Sequence, residues 1–389
     1  MKRLYLFLFL LPWVAPAQPT PYEWHLPIGS AVAPPASFAD AMAYDTVRGV
    51  TLCIPPIIDG DFPGTWKWDG SEWTPPTDAS TTERRNPVQI VFDTVRGVAV
   101  LYCTSSGSAV APGITWEWDG TLWRVASTNG PTNRDNLGMA FDSHRGRVVV
   151  FGGNYGLAGP APAWTWEWDG ITWRVMATNG PSRRVNCVMA YDAKRRVTVL
   201  FGGADDLVVQ APYRRDTWTW DGTDWTPVSV AGPTARIMHG MIYDTVRERV
   251  LLYGGIGEDD PDGMEGLGDL WEWDGSQWIL SSSSGPRHYR PAMAFDSHRG
   301  EAVVFGGARN RVNLRETWLL KLHETWVDFG YFGAETGTFA NPFNTVGEGV
   351  NAAPPGSVVK IKAGSRAEGL TISKRLSVEA FGGPVTIGQ

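Results

Sequence analysis

The chain has 389 residues, of which 43% are hydrophobic and 19% charged, and its formal net charge is −7. This length accommodates one large or two ordinary domains with a substantial core, and an acidic chain without a basic run argues against nucleic acid or anionic lipid as a partner. Its 20 Trp, 45 Gly and 28 Pro indicate many short strands and tight turns rather than long helices.

The first residues have the pattern of a secretory signal peptide. Lys2 and Arg3 precede an apolar run, which ends in a small-residue cleavage motif at Ala15–Ala17. We expect residues 1–17 to be removed, so that the protein is secreted, periplasmic or at the cell surface and does not insert into a membrane after cleavage. An uncleaved anchor is the alternative, but the apolar run is too short to span a bilayer.

A repeat fills residues 22–322. Each unit carries an aromatic residue followed by Asp-x-x-Arg, and successive Asp residues are 48, 49, 50, 52 and 52 positions apart. A nearly constant period of this size indicates a repeat architecture. The six pairs, which we expect to form structural turns, are Asp45 with Arg48, Asp93 with Arg96, Asp142 with Arg145, Asp192 with Arg195, Asp244 with Arg247, and Asp296 with Arg299.

Four strands, labelled a to d, can be assigned in a unit. In the third unit, strand a is LGMAFD (137–142) and strand b is RVVVFGG (147–153), joined by the Asp-x-x-Arg turn. A variable loop leads to strand c, TWEW (165–168), and strand d starts at Trp173. Sets of four short antiparallel strands, repeated six times with no helix between them, predict an all-β, six-bladed β-propeller.

The units resemble kelch repeats. The resemblance rests on a Gly pair at the end of strand b, a downstream Trp and a period of about fifty residues. The first two units depart from it, with Pro55-Pro56 and Cys103-Thr104 in place of Gly-Gly. The resemblance implies a kelch-type propeller over 22–322. The Gly pairs are Gly152-Gly153, Gly202-Gly203, Gly254-Gly255 and Gly306-Gly307.

Tryptophan recurs three times within segments such as TWEWDGTLW (115–123). Trp116 and Trp118 are two positions apart on strand c, so both face the same side of the sheet. A two-residue turn would place Trp116 opposite Trp123, whereas a four-residue loop would pair Trp118 with Trp123. In either case we expect the large rings to fill the wedges between blades, and small residues on strand a to pack near the axis.

The sixth unit has no strand d of its own. Residues 22–30, YEWHLPIGS, match the fourth strand d segment at 223–232. We therefore predict that Trp24 supplies the sixth d strand, so that the propeller is closed by an N-terminal strand and has no open edge there.

Residues 328–389 do not follow the repeat. A Gly- and Asn-rich segment leads to a short apolar helix around 344–352, a strand, and then LTIS, LSVEAF and VTIG as three short strands. This segment resembles the start of a pectate-lyase-like right-handed β-helix, which implies a partial β-helix-like segment. Because a solenoid needs about three repeats and a cap, we expect its open end to continue in a longer product or to pack on the propeller or a partner.

The loops between strands b and c are long and variable, whereas the turns at the opposite face are tight. Binding residues usually lie on variable loops of a rigid scaffold. At the channel mouth on this face, mostly basic residues stand eight positions before the repeat Asp, and a ring of Arg suits a carboxylate or phosphate. The alternative is that each Arg braces a neighbouring blade through backbone carbonyls. The candidate binding residues are Arg85, Arg134, Arg184, Arg236, Arg287 and His288, and Ser37 holds the first position.

An acidic loop at 257–269 is a candidate Ca²⁺ site. Glu258, Asp259, Asp260 and Asp262 offer hard oxygen ligands at short spacing. The loop lacks the EF-hand spacing, so an acidic surface loop without metal is the alternative. No other cofactor is expected.

No catalytic arrangement stands out by spacing. Some secreted kelch propellers are copper oxidases similar to galactose oxidase, and that resemblance would need His239, His288, Tyr289 and Cys187 at one mouth. We predict instead a non-catalytic extracellular recognition module that binds a protein or a polysaccharide through the long-loop face. A carbohydrate-active or galactose-oxidase-like enzyme and a structural cell-surface protein stay as alternatives, because propellers serve many functions.

Overall fold

The computed structural model describes residues 21–26, 32–36, 41–56, 64–78, 86–104, 111–132, 134–154, 161–205, 212–258 and 265–388. The chain divides into two compact units. One is Tyr22–Leu322, and the other comprises the described residues from His323 onward. In the described part of the chain, no helix is long and apolar enough to cross a membrane.

Tyr22–Leu322 forms a six-bladed propeller of four-stranded antiparallel sheets, as the repeat predicts. The blades are numbered in the chain order of strand a. Strands a of neighbouring blades contact one another around the whole ring, and they line a central cavity of about 340 Å³. Most residues of these strands are apolar or small, so that six strands can approach one axis.

The strands have these bounds in blades 1 to 6. Strands a are Ala41–Asp45, Asn86–Asp93, Asp135–Asp142, Val188–Asp192, Gly240–Asp244 and Ala292–Asp296. Strands b are Val50–Ile54, Val98–Thr104, Arg147–Asn154, Val197–Phe201, Arg249–Tyr253 and Glu301–Phe305. Strands c are Trp66–Trp68, Ile114–Trp118, Thr165–Trp168, Thr217–Trp220, Leu270–Trp273 and Thr317–Leu322. Strands d are Trp73–Thr74, Trp123–Ser127, Trp173–Ala177, Trp225–Val228, Trp278–Ser282 and, in blade 6, Tyr22–His25. Two short ladders pair Arg236–Ile237 with Ile256–Gly257, and Ala308–Arg309 with Val312–Asn313.

The N-terminal strand closes blade 6. It runs antiparallel to strand c of that blade, with Trp24 opposite Leu320 and Tyr22 opposite Leu322. The Tyr22 hydroxyl donates to Asp244 Oδ2 of blade 5 at 2.5 Å, and the Arg247 guanidinium lies 4.8 Å from the Tyr22 ring centre. The predicted closure is therefore present, and one side chain of the closing strand also ties blade 6 to blade 5.

The Asp-x-x-Arg turns are structural, as expected. In every blade the backbone N–H of the Arg donates to Oδ1 of the Asp three positions earlier, at 2.9–3.1 Å. The guanidinium also reaches the following blade. Arg195 of blade 4 packs on Gly275 in the c–d turn of blade 5, where φ is +95° and a Cβ would overlap the Arg195 side chain. Glycine is therefore required at that turn for two reasons, its backbone conformation and the neighbour's side chain.

The c–d turn is a four-residue loop in the five blades that have one. Trp118 lies opposite Trp123, and the equivalent pairs recur in blades 1, 3, 4 and 5. Asp119 Oδ1 accepts the backbone N–H groups of Thr121 and Leu122 at 2.9 and 3.0 Å, which stabilises the loop in the manner of an Asx turn. Of the two predicted pairings, the one between Trp118 and Trp123 is therefore correct.

The strand d Trp residues bridge neighbouring blades. In each of five blades, the indole Nε1 donates to the hydroxyl of a Thr on strand c, or directly before it, in the preceding blade, at 2.7–2.9 Å. The sixth bridge is missing, because Leu270 stands where the other blades have Thr. Accordingly Trp24 Nε1 is buried without a hydrogen-bond partner among the described residues. The five donor and acceptor pairs are Trp73 with Thr317, Trp123 with Thr65, Trp173 with Thr115, Trp225 with Thr165, and Trp278 with Thr217.

The second unit is a small parallel sheet with one helix. Its strands, Glu324–Val327, Val358–Arg366 and Ser377–Ile387, lie in chain order. The helix, Val346–Ala352, is capped by the Thr345 hydroxyl, which accepts the Glu348 N–H. Val327, Val346, Val350 and Val359 form its core.

The end of this unit differs from the sequence prediction. LTIS (370–373) is not a strand, and most of LSVEAF and of VTIG lies in one strand, Ser377–Ile387. The expected turn between them is an irregularity in the pairing, where the register with the neighbouring strand shifts between Lys362 and Gly364. Gly382 and Gly383 both have positive φ, so the extra residues are accommodated as a bulge without breaking the strand.

Candidate functional site

The two ends of the propeller channel carry different side chains. At the end of the tight turns, the residues that line the central cavity include Thr46, Thr94, Ser143, Thr245 and Ser297. At the other end, where strands b lead into the long loops, a second cavity of about 400 Å³ opens, a volume typical of small-molecule sites. We call it the loop-side mouth. Its polar lining residues are Gln89, Asp135, Asn136, Asn186, His239 and Arg290, and its apolar ones include Val88, Met238 and Pro291.

Four lining residues share an unusual backbone conformation. Asn136, Asn186, Met238 and Arg290 stand six positions before the repeat Asp of blades 3 to 6, and their φ angles are 54–57°. We call these four residues the collar. Two backbone hydrogen bonds join neighbouring members, from Asn186 to Asn136 at 2.8 Å and from Arg290 to Met238 at 2.7 Å. The collar therefore consists of two hydrogen-bonded pairs of residues, and each of its four residues lines the loop-side mouth.

The Gly pair at the end of strand b makes room for the collar. In blade 3, Gly153 has φ +88°, and a Cβ there would lie 2.7 Å from the carbonyl oxygen of Asp135. A Cβ on Gly152 would lie 2.6 Å from the carbonyl oxygen of Arg184 in the next blade. Only glycine permits these backbone approaches, so the repeated Gly-Gly positions the mouth.

Burial shifts the pKa of three other groups that line the mouth. Burial raises the pKa of the Asp135 carboxyl and raises the pKa of the Cys187 thiol to about 11. Burial, and then the charge of Arg236, hold the pKa of His239 well below its usual range. At neutral pH the mouth therefore presents a protonated thiol and a neutral imidazole, which favours hydrogen bonding over nucleophilic chemistry.

The predicted arginines of blades 3 to 5 are buried inside the blades. Arg134, Arg184 and Arg236 are 1%, 1% and 0% exposed. Arg236 donates to the Gly254 carbonyl at 3.0 Å and to both carboxylate oxygens of Asp269 at 2.8 and 2.7 Å.

The other two arginines are held in the same way. Arg184 donates to the Gly202 carbonyl and to both oxygens of Asp216, and Arg134 donates to the Gly152 carbonyl at 3.1 Å. The structure therefore places these three guanidinium groups as braces between backbone and loop within a blade, which is close to the alternative stated for them. The mouth is lined instead by residues two positions further along, starting with Asn136.

The remaining candidate residues lie in different environments. Arg85, like Ser37, lies outside the described residues. Arg287 is 58% exposed and forms an ion pair with Glu265 at 2.6 Å. His288 is fully buried, its Nε2 lies 3.9 Å from Glu316 Oε2, and burial lowers its pKa to about 4. His288 thus occupies, beside Glu316, the position that Arg236 occupies beside Asp269.

The acidic loop is only partly described. Glu258 is exposed, whereas Asp259, Asp260 and Asp262 lie outside the described residues. Within the described ranges, no group of three or more His, Cys, Asp or Glu side chains is placed to hold a metal ion. The Ca²⁺ site at these four residues stays a prediction from the sequence.

The collar was not found from the sequence, although a signal was present. Asn is among the few residues that adopt a left-handed conformation readily, and it occurs at both Asn136 and Asn186. An Asn six positions before the repeat Asp in two consecutive units could have indicated a left-handed position. Met238 and Arg290 conceal that pattern, because neither is typical of such a conformation.

Comparison with known proteins identifies the fold alone. No protein-family model matches the chain, and no curated protein matches it. Among solved structures, that of YjhT superimposes with a TM-score of 0.56 at 11% identity, covering 74% of this chain and 96% of that one. Because 709 solved chains match in this way, the likeness supports a propeller and selects no function.

Proposed function

We propose that this protein is a non-catalytic extracellular recognition module that binds a protein or a polysaccharide at the loop-side mouth. The observation that supports this most is the collar, since four consecutive blades each direct a side chain to one cavity of about 400 Å³. Residues held in a strained conformation around a cavity are typical of functional sites. The rigid ring of blades supplies the scaffold on which such a site is usually built.

The chemistry of the mouth favours binding over catalysis. Asp135 is the one carboxylate among the described lining residues, so no pair of carboxylates is present there for general acid and base catalysis. The protonated Cys187 thiol and the neutral His239 ring suit hydrogen bonding to a neutral or singly charged ligand.

The same proposal includes three features of the chain: a propeller of the kelch type, export of the protein, and a second unit that resembles the start of a β-helix. The positive φ angles of Gly152 and Gly153, which the collar requires, support the kelch resemblance. Parallel strands that stack in chain order in the second unit support the β-helix resemblance, which favours a polysaccharide over a protein ligand. Export rests on the signal-peptide pattern of residues 1–17, and the domain bounds 22–322 and 328–389 rest on the repeat.

A binding screen with one blocked variant tests the proposal. The purified full chain is presented to plant, algal and bacterial polysaccharides, with and without Ca²⁺. Gln89→Trp places a large ring in the mouth, because Gln89 lines both cavities. The control, Val95→Trp, adds the same ring to an exposed residue of the tight turn at the other end of the same strand.

We expect a polysaccharide that the wild-type chain and Val95→Trp bind equally and that Gln89→Trp binds at least tenfold more weakly. Ligands that both variants bind as well as the wild type would contradict a site at the mouth. Turnover of a bound sugar would favour a carbohydrate-active enzyme over a recognition module. Loss of binding on removal of Ca²⁺ would assign a role to the acidic loop.

A further inference from the structure

His239 occupies a repeat position that is apolar in four of the other five blades. The position lies five residues before the repeat Asp, and its apolar residues are Val88, Leu137, Cys187 and Pro291. His239 is 4% exposed, and neither of its ring nitrogens has a hydrogen-bond partner among the described residues. A buried polar group in that state costs free energy. The repeat therefore does not account for a histidine here, whereas a partner from outside the chain would.

A second buried histidine is different in its surroundings. His288 also has no hydrogen-bond partner among the described residues, but it stands where other blades have an Arg, and its Nε2 lies 3.9 Å from Glu316 Oε2. The described lining of the two channel cavities does not include His288. His239 lines both cavities, and the neighbouring charge that acts on its pKa is the positive one of Arg236. A structural role beside a carboxylate can explain His288 but not His239.

His239 lies where the central cavity of about 340 Å³ meets the loop-side mouth of about 400 Å³. Its ring is T-shaped against Phe201, with the ring centres 5.6 Å apart. Gly202 leaves space beside the ring, since a Cβ there would lie 3.1 Å from His239 Cε1. A half-turn about the Cβ–Cγ bond exchanges the nitrogen and carbon positions of the ring, so a ligand in the channel can meet a different ring edge without a backbone shift. The residues that line both cavities are Gln89, Val188, His239 and Pro291.

Uncharged polar groups continue on both sides of His239. Toward the loops, Asn186 lines the mouth, is 8% exposed, and has no hydrogen-bond partner for its Nδ2 among the described residues. Along the channel, each strand a pairs with strand b on one edge and with no described strand on the other, so backbone donors and acceptors remain at the axis. The two charged residues of the described mouth, Asp135 and Arg290, have opposite signs. This lining suits an uncharged ligand rich in hydroxyl groups. At the turn end, the hydroxyl-bearing lining residues are Thr46, Thr94, Ser143, Thr245 and Ser297.

We infer that the channel binds an uncharged sugar unit, whose hydroxyl groups form hydrogen bonds with His239 and Asn186. The inference rests on the proposed function and makes it more specific, because the ligand of the loop-side mouth is then the end of a neutral polysaccharide chain. Six strands enclose the channel, so a chain enters it by its end. A neutral imidazole offers one N–H donor and one bare nitrogen acceptor, and a hydroxyl group can match either of them.

The ring resonances of His239 test the site directly. The chain has six His residues, so an imidazole nitrogen NMR spectrum of the full chain contains few signals, and those absent from His239→Leu belong to His239. The probes are methyl β-D-glucopyranoside, methyl β-D-galactopyranoside and methyl β-D-mannopyranoside. At least one of them should shift the His239 signals and leave those of His288 unchanged. No shift with any of the three would overturn the inference and leave ordered water as the partner of His239.

A charged probe tests the neutral character of the site. Methyl β-D-glucuronide carries a carboxylate in place of a hydroxymethyl group, and burial of an unpaired carboxylate is costly. It should leave the His239 signals unchanged. A glucuronide that shifts them at lower concentration than every neutral glycoside would contradict an uncharged ligand.

Two variants separate a ligand contact from a structural role. His239→Leu introduces the residue that blade 3 has at this position, Leu137, and removes an imidazole without a partner, so the Tm should stay the same or rise. The affinity for the glycoside that shifts His239 should fall at least tenfold. Asn186→Gly keeps the left-handed backbone, φ 54°, and should lower that affinity at least threefold. A lower Tm with unchanged affinity in His239→Leu would assign a structural role and overturn the inference.

The matched control is His288→Leu, which removes the other buried imidazole away from the two cavities. Its affinity for the same glycoside should equal that of the wild type, whatever its Tm. A loss as large as that of His239→Leu would overturn the inference, because the effect would then follow from the removal of any buried histidine.

Failure of this inference is distinguishable from failure of the proposed function. If the polysaccharide screen finds a ligand that Gln89→Trp blocks and His239→Leu binds as the wild type does, the recognition module stands and this inference fails. If a glycoside shifts the His239 signals while no polysaccharide binds, the sugar site stands and the proposed polymeric ligand fails.

Discussion

The Trp and Thr bridges between blades make a quantitative prediction at Thr217. Its hydroxyl accepts the Nε1–H of Trp278 from the next blade at 2.9 Å, and both residues are buried. Thr217→Val keeps the shape of the side chain and removes the acceptor, so it leaves a buried indole N–H without a partner. A buried donor in that state costs about 1–3 kcal/mol. At roughly 2 °C per kcal/mol for a unit of this size, the Tm should fall by about 2–6 °C.

Blade 5 provides an internal comparison for this prediction. Leu270 replaces the Thr there, and Trp24 Nε1 has no partner among the described residues. Leu270→Val and Leu270→Thr remove similar packing and differ in the hydroxyl alone. We expect the Thr variant to be the more stable of the two by about 1 kcal/mol, the net value of one hydrogen bond, because Trp24 regains an acceptor.

Urea denaturation of the four proteins, followed by tryptophan fluorescence, measures these differences. A loss below about 0.5 kcal/mol for Thr217→Val would show that the bridge does not stabilise the ring. Equal stability of Leu270→Thr and Leu270→Val would refute Leu270 as the reason for the missing bridge. An altered denaturant slope would indicate that one blade unfolds separately, in which case the two-state comparison would not apply.

Two further predictions concern buried ionisable groups. Burial raises the pKa of Asp244, while the hydrogen bond from the Tyr22 hydroxyl opposes that rise. Tyr22→Phe should therefore raise this pKa further and lower the free energy of unfolding at pH 7 by about 1–3 kcal/mol. That cost should shrink toward pH 3, where the Asp244 carboxyl is protonated in the unfolded chain as well. Urea denaturation at pH 7 and at pH 3 measures it, and an equal loss at both would contradict the prediction. Burial lowers the pKa of His288 to about 4, so the neutral ring stabilises the fold above pH 6.5 and this stability is lost as the pH falls toward 4, up to about 3 kcal/mol. His288→Arg, which would pair with Glu316 as Arg236 pairs with Asp269, should remove that part of the pH dependence of Tm, and an unchanged dependence would assign it to other groups such as His239.

Much of the propeller could be predicted from local pattern. The Asp-x-x-Arg turn recurs with a period near fifty, and each blade uses it in the same way, with Asp Oδ1 accepting backbone N–H groups. The missing sixth strand d and its copy around Trp24 predicted a closure that the pairing with Leu320 confirms. These features follow from the sequence because they depend on contacts repeated in every unit.

The site was predicted less well, because its chemistry depends on burial. Arg184 and Arg236 recur at one repeat position, which is equally consistent with a ligand site and with a structural brace. Their partners, Asp216 and Asp269, lie more than thirty residues away at the end of variable loops. A variable loop hides such a pairing from sequence inspection, and the bidentate contacts became visible in the folded blade alone.

The sequence by itself determined the number of blades, the turn chemistry and the closing strand, because each follows from a short motif or from a count of motifs. The tertiary structure decided which Trp residues pair, that Arg134, Arg184 and Arg236 are buried, and that the collar residues line the loop-side mouth. The physical reason is that the backbone conformation of the collar, the burial of these side chains and the cavity at the mouth arise only when six blades meet around one axis. A single unit carries the motif, but the site belongs to the ring.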